Sequence, residues 1–305
     1  MTPRGGLSIW LQFFRVRLLP TAWANGATGA IAAGAVASPP TLSDAALAAV
    51  TIGALYLFGM GANDWCDRRR DATQAPHRPI PSGGLSSTRA LGSILIALAI
   101  ALTSAAFLPS RTWVWVGSIV GSIVLYDAFL KDQSWLGPLA MGSVRAFVAI
   151  FGASLVGEPI DGLLPAVILG GHSFWVTRYS LKEESSDAEA LDARARAVIA
   201  HSGSALILAI LFIPTPWLWH LGWLTPMGAW IQFDRARRRY PPGWFTFRSL
   251  RVLLLLDGSL HLSYNSPVSA AVCALLFLGT GAFLPPRPTS AGPSQTPLSS
   301  ESALE

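Results

Sequence analysis

One stretch decides the fold class: residues 44–71, which read DAALAAVTIGALYLFGMGANDWCDRRRD. Within 44–62, Asp44 is the only charged side chain, and this length suffices for a helix that crosses the hydrocarbon core of a bilayer, about 17–25 residues. From Asn63 onward the stretch becomes strongly polar. It therefore predicts a membrane-spanning helix that leads directly into an acidic segment at the membrane surface.

The rest of the chain repeats this apolar character. Of its 305 residues, 51% are hydrophobic and 13% are charged, with a mean hydropathy of +0.45, which excludes an ordinary soluble domain. We predict an all-α, polytopic transmembrane bundle of nine or ten spans, the weaker candidates being the first and 247–264. The candidates are 16–37, 44–62, 89–108, 111–130, 136–156, 162–180, 197–214, 216–233, 247–264 and 266–284.

The basic residues indicate the orientation. With ten spans and a cytoplasmic N-terminus, 20 of the 22 Lys and Arg residues fall in cytoplasmic segments. We therefore expect a multi-pass protein of the cytoplasmic membrane, with its N-terminus and acidic loops in the cytoplasm. Basic loops beside anionic membrane lipid account for the net charge of +5, so no nucleic-acid partner is predicted.

The chain predicts a single membrane domain over 1–284, followed by a disordered cytoplasmic tail, 285–305, rich in Pro and Ser. Within the first span, Gly26, Gly29 and Gly34 predict close packing of helix backbones.

The acidic segment carries three carboxylates, Asp64, Asp67 and Asp71. In a helix these side chains project within about 60° of one another on one face. Mg²⁺ commonly bridges one or two such carboxylates to substrate phosphates. We therefore predict a diphosphate site. Its alternative is a solvated helix end with incidental charges.

A stiff segment follows at 78–83, with the sequence RPIPSG. Its prolines and glycine favour a turn that folds over the helix end, where Arg78 can pair with phosphate oxygens in a bidentate manner.

A second acidic loop lies at 178–187. Glu183 and Asp187 are spaced to share a helix face and are candidate ligands for a second Mg²⁺. Lys182 is a candidate substrate contact. A solvated amphipathic helix with intrahelical pairs, such as Asp192 with Arg196, explains the same loop equally well.

Polar residues inside spans are costly and often functional. Arg145 must find a carboxylate, carbonyl oxygens or a wet cavity. Lys131 pairs either with Asp127, four residues earlier, or with a diphosphate. We expect the histidines to be hydrogen-bonded core residues rather than bases. The in-span candidates are Asn25, Tyr126, Asp127, Arg145, His172, Arg178, Asp257 and His261.

These motifs resemble the UbiA superfamily of intramembrane prenyltransferases, through residues 63–71, 78–83 and 126–131 and the acidic loop after the sixth span. The resemblance implies a helical bundle around a central cavity, where two acidic loops hold Mg²⁺ and an isoprenoid diphosphate. By motif position, Asp64, Asp67 and Asp71 would be catalytic metal ligands. The substrate contacts would be Asn25, Asn63, Arg78, Tyr126, Lys131, Arg145 and Lys182.

One position departs from the family pattern, because Glu183 replaces the first aspartate of the second motif. Segments 125–127, 141–145 and 180–183 look most like the Ebo-type branch. The resemblance implies Mg²⁺-dependent transfer of an isoprenoid from a prenyl diphosphate to an acceptor within the membrane. The acceptor, donor length and oligomeric state stay open. An isoprenoid cyclase and a non-catalytic transporter or scaffold with the same fold are the alternatives.

Overall fold

The computed structural model describes residues 6–34, 40–183, 188–213, 216–237 and 243–281. Within these ranges the chain forms helices and no strand. The helices are α1 (Gly6–Phe13), α2 (Leu19–Gly34), α3 (Leu42–Gln74), α4 (Ser87–Ala106), α5 (Trp113–Leu125), α6 (Leu136–Val156), α7 (Leu163–Ser180), α8 (Ala188–Phe212), α9 (Leu224–Arg237), α10 (Trp244–Ser263) and α11 (Pro267–Gly281).

The all-α fold is confirmed, and helices α2 to α11 follow the ten candidate spans in order. Five described helices are long and apolar enough to cross a membrane, which makes this a multi-pass membrane protein. Helices α2, α9 and α11 have 16, 14 and 15 residues. The count of nine or ten spans therefore stays a prediction. The five are Leu42–Gln74, Ser87–Ala106, Ser110–Leu130, Leu136–Val156 and Ala190–Phe212.

Helix α3 continues without a break through the acidic segment. Thr41 caps its start by accepting a hydrogen bond from the backbone N–H of Asp44. Its 33 residues span about 50 Å, against a hydrocarbon core of about 30 Å. The last turns of α3 therefore extend beyond the hydrocarbon, and they carry the three aspartates.

Two large hydrophobic clusters form most of the core. One includes buried residues of α3, α4 and α5, and the other includes residues of α7, α8 and α10. Helix α6 lies between them, since Phe151 belongs to the first cluster and Ala149 to the second. Large apolar side chains such as Ile96, Phe129 and Leu211 are exposed on the outside, as expected for a surface that faces lipid.

Glycine lets three helices touch through their backbones. A Cβ built on Gly29 of α2 would lie 1.7 Å from the carbonyl oxygen of Ala149 in α6, and one on Gly152 would lie 1.9 Å from that of Gly26. Between α6 and α7, a Cβ on Gly142 would lie 2.7 Å from the carbonyl oxygen of Gly170. Only glycine fits such contacts.

Candidate active site

The three aspartates of α3 lie on one buried face, as predicted. Their exposed fractions are 5% for Asp64, 7% for Asp67 and 3% for Asp71, which excludes a solvated helix end. Asp67 and Asp71 line a cavity of about 490 Å³. Asp64 contacts Arg15 and Arg78, both of which also line this cavity.

Each aspartate is paired with a basic side chain. Arg15 Nη2 lies 2.5 Å from Asp64, and Arg78 Nη1 donates to Asp71 at 2.7 Å. Asp67 accepts a hydrogen bond from Lys131, and Arg70 Nη2 lies 2.9 Å from its other oxygen. Four cations therefore surround three carboxylates.

Arg15 reaches the cluster through an unusual backbone conformation. It separates α1 from a short 3₁₀ turn, Val16–Leu18, with φ 46° and ψ 43°. This left-handed conformation is uncommon for a residue with a side chain, and strain of this kind tends to occur at functional sites. The Tyr56 hydroxyl donates to the Arg15 carbonyl oxygen at 2.8 Å. Sequence reasoning treated Arg15 only as a basic residue of a cytoplasmic segment and missed its place in the site.

A π-helical turn, Tyr126–Leu130, ends α5 beside the cluster. Such turns are rare and often occur at functional sites. Asn63 donates to Asp127 at 2.8 Å, and Lys131 pairs with Asp67. Of the two partners predicted for Lys131, Asp127 is therefore not the one that it contacts. Asn63, Tyr126 and Lys131 all line the polar cavity, and their role as substrate contacts stays a prediction.

Arg145 also lines this cavity. Its Nη1 donates to Asn25 Oδ1 and its Nη2 to Thr21 Oγ1, both at 3.1 Å. Asn25 itself is fully buried and is not among the residues that line the cavity. It therefore contacts Arg145 on the side of the guanidinium that faces the protein interior.

The two histidines named as in-span candidates, His172 and His261, are core residues. His172 is fully buried and makes a 2.9 Å hydrogen bond with the backbone oxygen of Ser249. His261 is 1% exposed and lies 2.9 Å from Thr28 Oγ1. Neither histidine lines the polar cavity.

From the second acidic loop, Glu183 lines the same cavity. Its carboxylate accepts hydrogen bonds from the hydroxyl and backbone N–H of Thr246, in the first turn of α10. Burial raises the pKa of Glu183, and these hydrogen bonds oppose the rise. Lys182 is exposed and outside the cavity lining, and Asp187 lies outside the described residues. A metal-binding role for this loop stays a prediction of the sequence, and the hydrogen bonds to Thr246 favour a capping role for Glu183 instead.

An apolar cavity of about 60 Å³ adjoins the polar one. Tyr56, Asn63, Tyr126 and Arg145 line both cavities. A third, largely apolar cavity of about 600 Å³ lies between α2 and α3, and Ile52 lines both it and the small apolar cavity.

The donor chemistry of the polar cavity fits Mg²⁺. Among the described residues, no three His, Cys, Asp or Glu side chains form a metal-holding cluster. Mg²⁺ does not need one, because it commonly uses one or two carboxylates together with waters and substrate phosphates. Asp67 and Asp71 supply carboxylate oxygens at a cavity wide enough for the remaining ligands.

A family model decides the classification. The model described as the UbiA prenyltransferase family matches residues 18–242. The chain belongs to the UbiA prenyltransferase family. The resemblance inferred from the motifs is thereby confirmed, and with it the enzyme class, prenyltransferase. The narrower resemblance to the Ebo-type branch stays a prediction.

Several known proteins are similar to this UbiA family member. Digeranylgeranylglyceryl phosphate synthase of Halobacterium salinarum is 26% identical over 228 residues, which cover 70% of this chain and 80% of that protein. A UbiA homolog from Aeropyrum pernix, solved in its apo form, has a TM-score of 0.63 at 17% identity, covering 87% and 98% of the two chains. A UbiA homolog from Archaeoglobus fulgidus, bound to GPP and Mg²⁺, has a TM-score of 0.52 at 13% identity, covering 90% and 99%. These two structures support the fold.

Proposed function

We propose that this UbiA family protein transfers an isoprenoid group from a prenyl diphosphate to an acceptor within the membrane, in a reaction that requires Mg²⁺. One observation carries the proposal: a polar cavity lined with paired charges adjoins an apolar cavity, and the two share lining residues. A prenyl diphosphate has the same division, with a charged head and a hydrocarbon chain. The relative solved with GPP and Mg²⁺ supports the same pairing of ligands.

The charges of the cluster suit the two parts of a metal–diphosphate complex. Asp67 and Asp71, with Asp64 beside them, would hold Mg²⁺. Arg15, Arg78 and Lys131 now pair with these carboxylates. When a diphosphate is bound, these three cations can pair with its oxygens instead, and Arg binds phosphate in a bidentate geometry. The carboxylates are then available to the metal.

Transfer begins when the bond between the allylic carbon and the diphosphate oxygen breaks, and the electron pair leaves with the diphosphate. Mg²⁺ supplies charge neutralisation to this leaving group when it is bound. Arg15, Arg78 and Lys131 add fixed positive charge where the negative charge develops. The acceptor then forms a bond to the allylic carbon and loses a proton.

The small apolar cavity would take the first part of the hydrocarbon chain, next to the allylic carbon. Ile52, Ile119 and Ile123 line it, and the rings of Tyr56 and Tyr126 stand at its junction with the polar cavity. Such walls keep water from the allylic cation. The positive-inside pattern supports a cytoplasmic location for the diphosphate end, in the cytoplasmic membrane.

The direct test is Mg²⁺-dependent binding of farnesyl and geranylgeranyl diphosphate to the detergent-purified protein. We expect binding to the native chain and a loss of roughly 100-fold in Asp67→Asn. The matched control is Asp44→Asn, the same substitution at the opposite end of α3, which should bind as the native chain does. Absence of binding to the folded native protein would refute the proposal. Product analysis then separates transfer from cyclisation, because a cyclase releases diphosphate and a cyclic product without any acceptor.

A further inference from the structure

A buried carboxylate lies outside the cavity, on α10. The Asp257 side chain is fully buried, and its two oxygens accept hydrogen bonds from two side chains of α2. Asn25 Nδ2 donates at 2.8 Å and Thr28 Oγ1 at 2.6 Å. A carboxylate in the interior of a membrane protein is costly and commonly marks a functional connection. Asp257 is not among the residues that line the polar cavity.

Asn25 connects this carboxylate to the cavity. Its amide has one oxygen and one nitrogen, so the group that it turns toward Asp257 determines the group that it turns toward Arg145. Because Nδ2 donates to Asp257, Oδ1 faces Arg145 and accepts from its Nη1 at 3.1 Å. A rotated amide would present N–H groups to a guanidinium, and two donors repel each other. The Asp257 carboxylate therefore sets the orientation of the Asn25 amide, and with it the oxygen that accepts from Arg145.

Arg145 stands where the two cavities meet, since it lines both. In the proposed reaction this junction holds the end of the diphosphate next to the allylic carbon. We propose that Asp257 is a positioning residue for the transfer reaction, which acts through Asn25 to hold Arg145 for contact with the diphosphate end of the donor. The inference rests on the proposed function.

The other side of Asp257 offers a matched control. Thr28 donates to the second carboxylate oxygen, and His261 Nε2 lies 2.9 Å from the same hydroxyl. Cys273 Sγ lies 3.6 Å from His261 Nδ1. These contacts tie α2, α10 and α11 together and lead away from Arg145. If Asp257 only held the helices together, loss of its hydrogen bond to Thr28 would change the donor KM as much as loss of its hydrogen bond to Asn25.

Three variants separate positioning from a simple tie. Asp257→Asn replaces one acceptor oxygen with an N–H donor that can face either Thr28 or Asn25, so the Asn25 amide is no longer held in a single orientation. Thr28→Val removes a hydrogen bond to the same carboxylate on the side away from Arg145. The double variant Asn25→Asp with Asp257→Asn conserves composition and total charge. In it, the amide at position 257 donates to the carboxylate at position 25, which accepts from Arg145.

The measurement is the donor KM and kcat of each detergent-purified variant at saturating Mg²⁺, beside its unfolding temperature. We expect Asp257→Asn to raise the donor KM roughly 10-fold. Thr28→Val should keep KM within about twofold even where it lowers the unfolding temperature, because it is remote from the ligand. The double variant should recover most of the loss in KM.

Two results would overturn the inference in an active native protein: equal KM increases in Asp257→Asn and Thr28→Val, or no recovery in the double variant. A native protein that neither binds nor turns over any prenyl diphosphate would instead refute the proposed function, and this inference with it.

Discussion

The guanidinium of Arg15 lies 2.5 Å from the carboxylate of Asp64, across 49 residues of sequence. The contact joins the segment between α1 and α2 to the acidic face of α3. Tyr56, also on α3, holds the backbone of Arg15 through its hydroxyl group. The N-terminal segment is therefore part of the wall of the polar cavity.

Replacing Arg15 should weaken donor binding. We expect Arg15→Ala to raise the donor KM roughly 10-fold, since one charge-assisted contact to the diphosphate is lost. The donor KM of Arg15→Lys should lie between those of the native chain and Arg15→Ala. An ammonium group keeps the positive charge but cannot bind phosphate in the bidentate geometry of Arg. Steady-state kinetics at saturating Mg²⁺ would measure both. Arg17→Ala, two residues away at an exposed position outside the cavity lining, is the control. An equal effect in that control would assign the loss to general surface charge.

Glu183 allows a test of the second acidic loop. Its carboxylate lies at the N-terminus of α10, where a negative charge is stabilising. We expect Glu183→Gln to lower the free energy of unfolding by about 1 kcal/mol and to leave the Mg²⁺ concentration for half-maximal activity unchanged. Denaturant unfolding in detergent and a Mg²⁺ titration of activity would measure the two effects. A clear increase in the Mg²⁺ requirement would instead make Glu183 a metal ligand.

Ile52 should limit the length of the donor. It is 5% exposed and separates the small apolar cavity from the cavity of about 600 Å³ between α2 and α3. Removing its side chain should join the two spaces, so Ile52→Ala should raise kcat/KM for longer donors relative to shorter ones. A competition assay with farnesyl and geranylgeranyl diphosphate would measure the ratio.

The control for this change is Ile94→Ala. Ile94 is 4% exposed in the same hydrophobic cluster and lines neither cavity. Both substitutions should destabilise the protein by about 2–5 kcal/mol. Only Ile52→Ala should alter the ratio of kcat/KM for longer and shorter donors. An equal change of this ratio in Ile94→Ala would contradict the prediction that Ile52 limits donor length.

Gly29 should tolerate no side chain. We expect Gly29→Ala to lower the free energy of unfolding by about 1–3 kcal/mol or more, because its Cβ would overlap the backbone of α6. Gly34→Ala is the control, since a Cβ there would meet no atom of the described residues within 4 Å. Thermal unfolding in detergent would compare the two. Similar stabilities of both variants would show that α2 and α6 can move apart without cost.

The local pattern of α3 predicted the core of the site. A helix period of 3.6 residues places Asp64, Asp67 and Asp71 on one face, and the structure confirms both the helix and the shared face. The glycine pattern of α2 predicted close packing. The structure shows it at Gly26 and Gly29, whereas a Cβ on Gly34 would contact nothing in the described part of the chain. Periodicity identifies a face but not the element that covers it.

Contacts between distant segments could not be predicted in this way. The pairing of Arg15 with Asp64 depends on a left-handed backbone conformation that no glycine or asparagine marks in the sequence. The charged residues of α10 made 247–264 a weak candidate for a span, yet Arg251 and Asp257 are both buried and hydrogen-bonded to other helices. A hydropathy scale scores every charged residue as unfavourable in a span and contains no information about hydrogen-bond partners on other helices.

The glycine contacts also restrict where a hydrocarbon chain can leave the protein. Backbone touches backbone between α2 and α6, and again between α6 and α7, so these two seams are closed to a lipid-like product. Between α2 and α3 the facing groups include side chains with rotatable bonds, such as Trp23 and Ile52, around an existing apolar space. Of these three seams, only the one between α2 and α3 could therefore open to a hydrocarbon chain by side-chain rotation, without separation of the helix backbones.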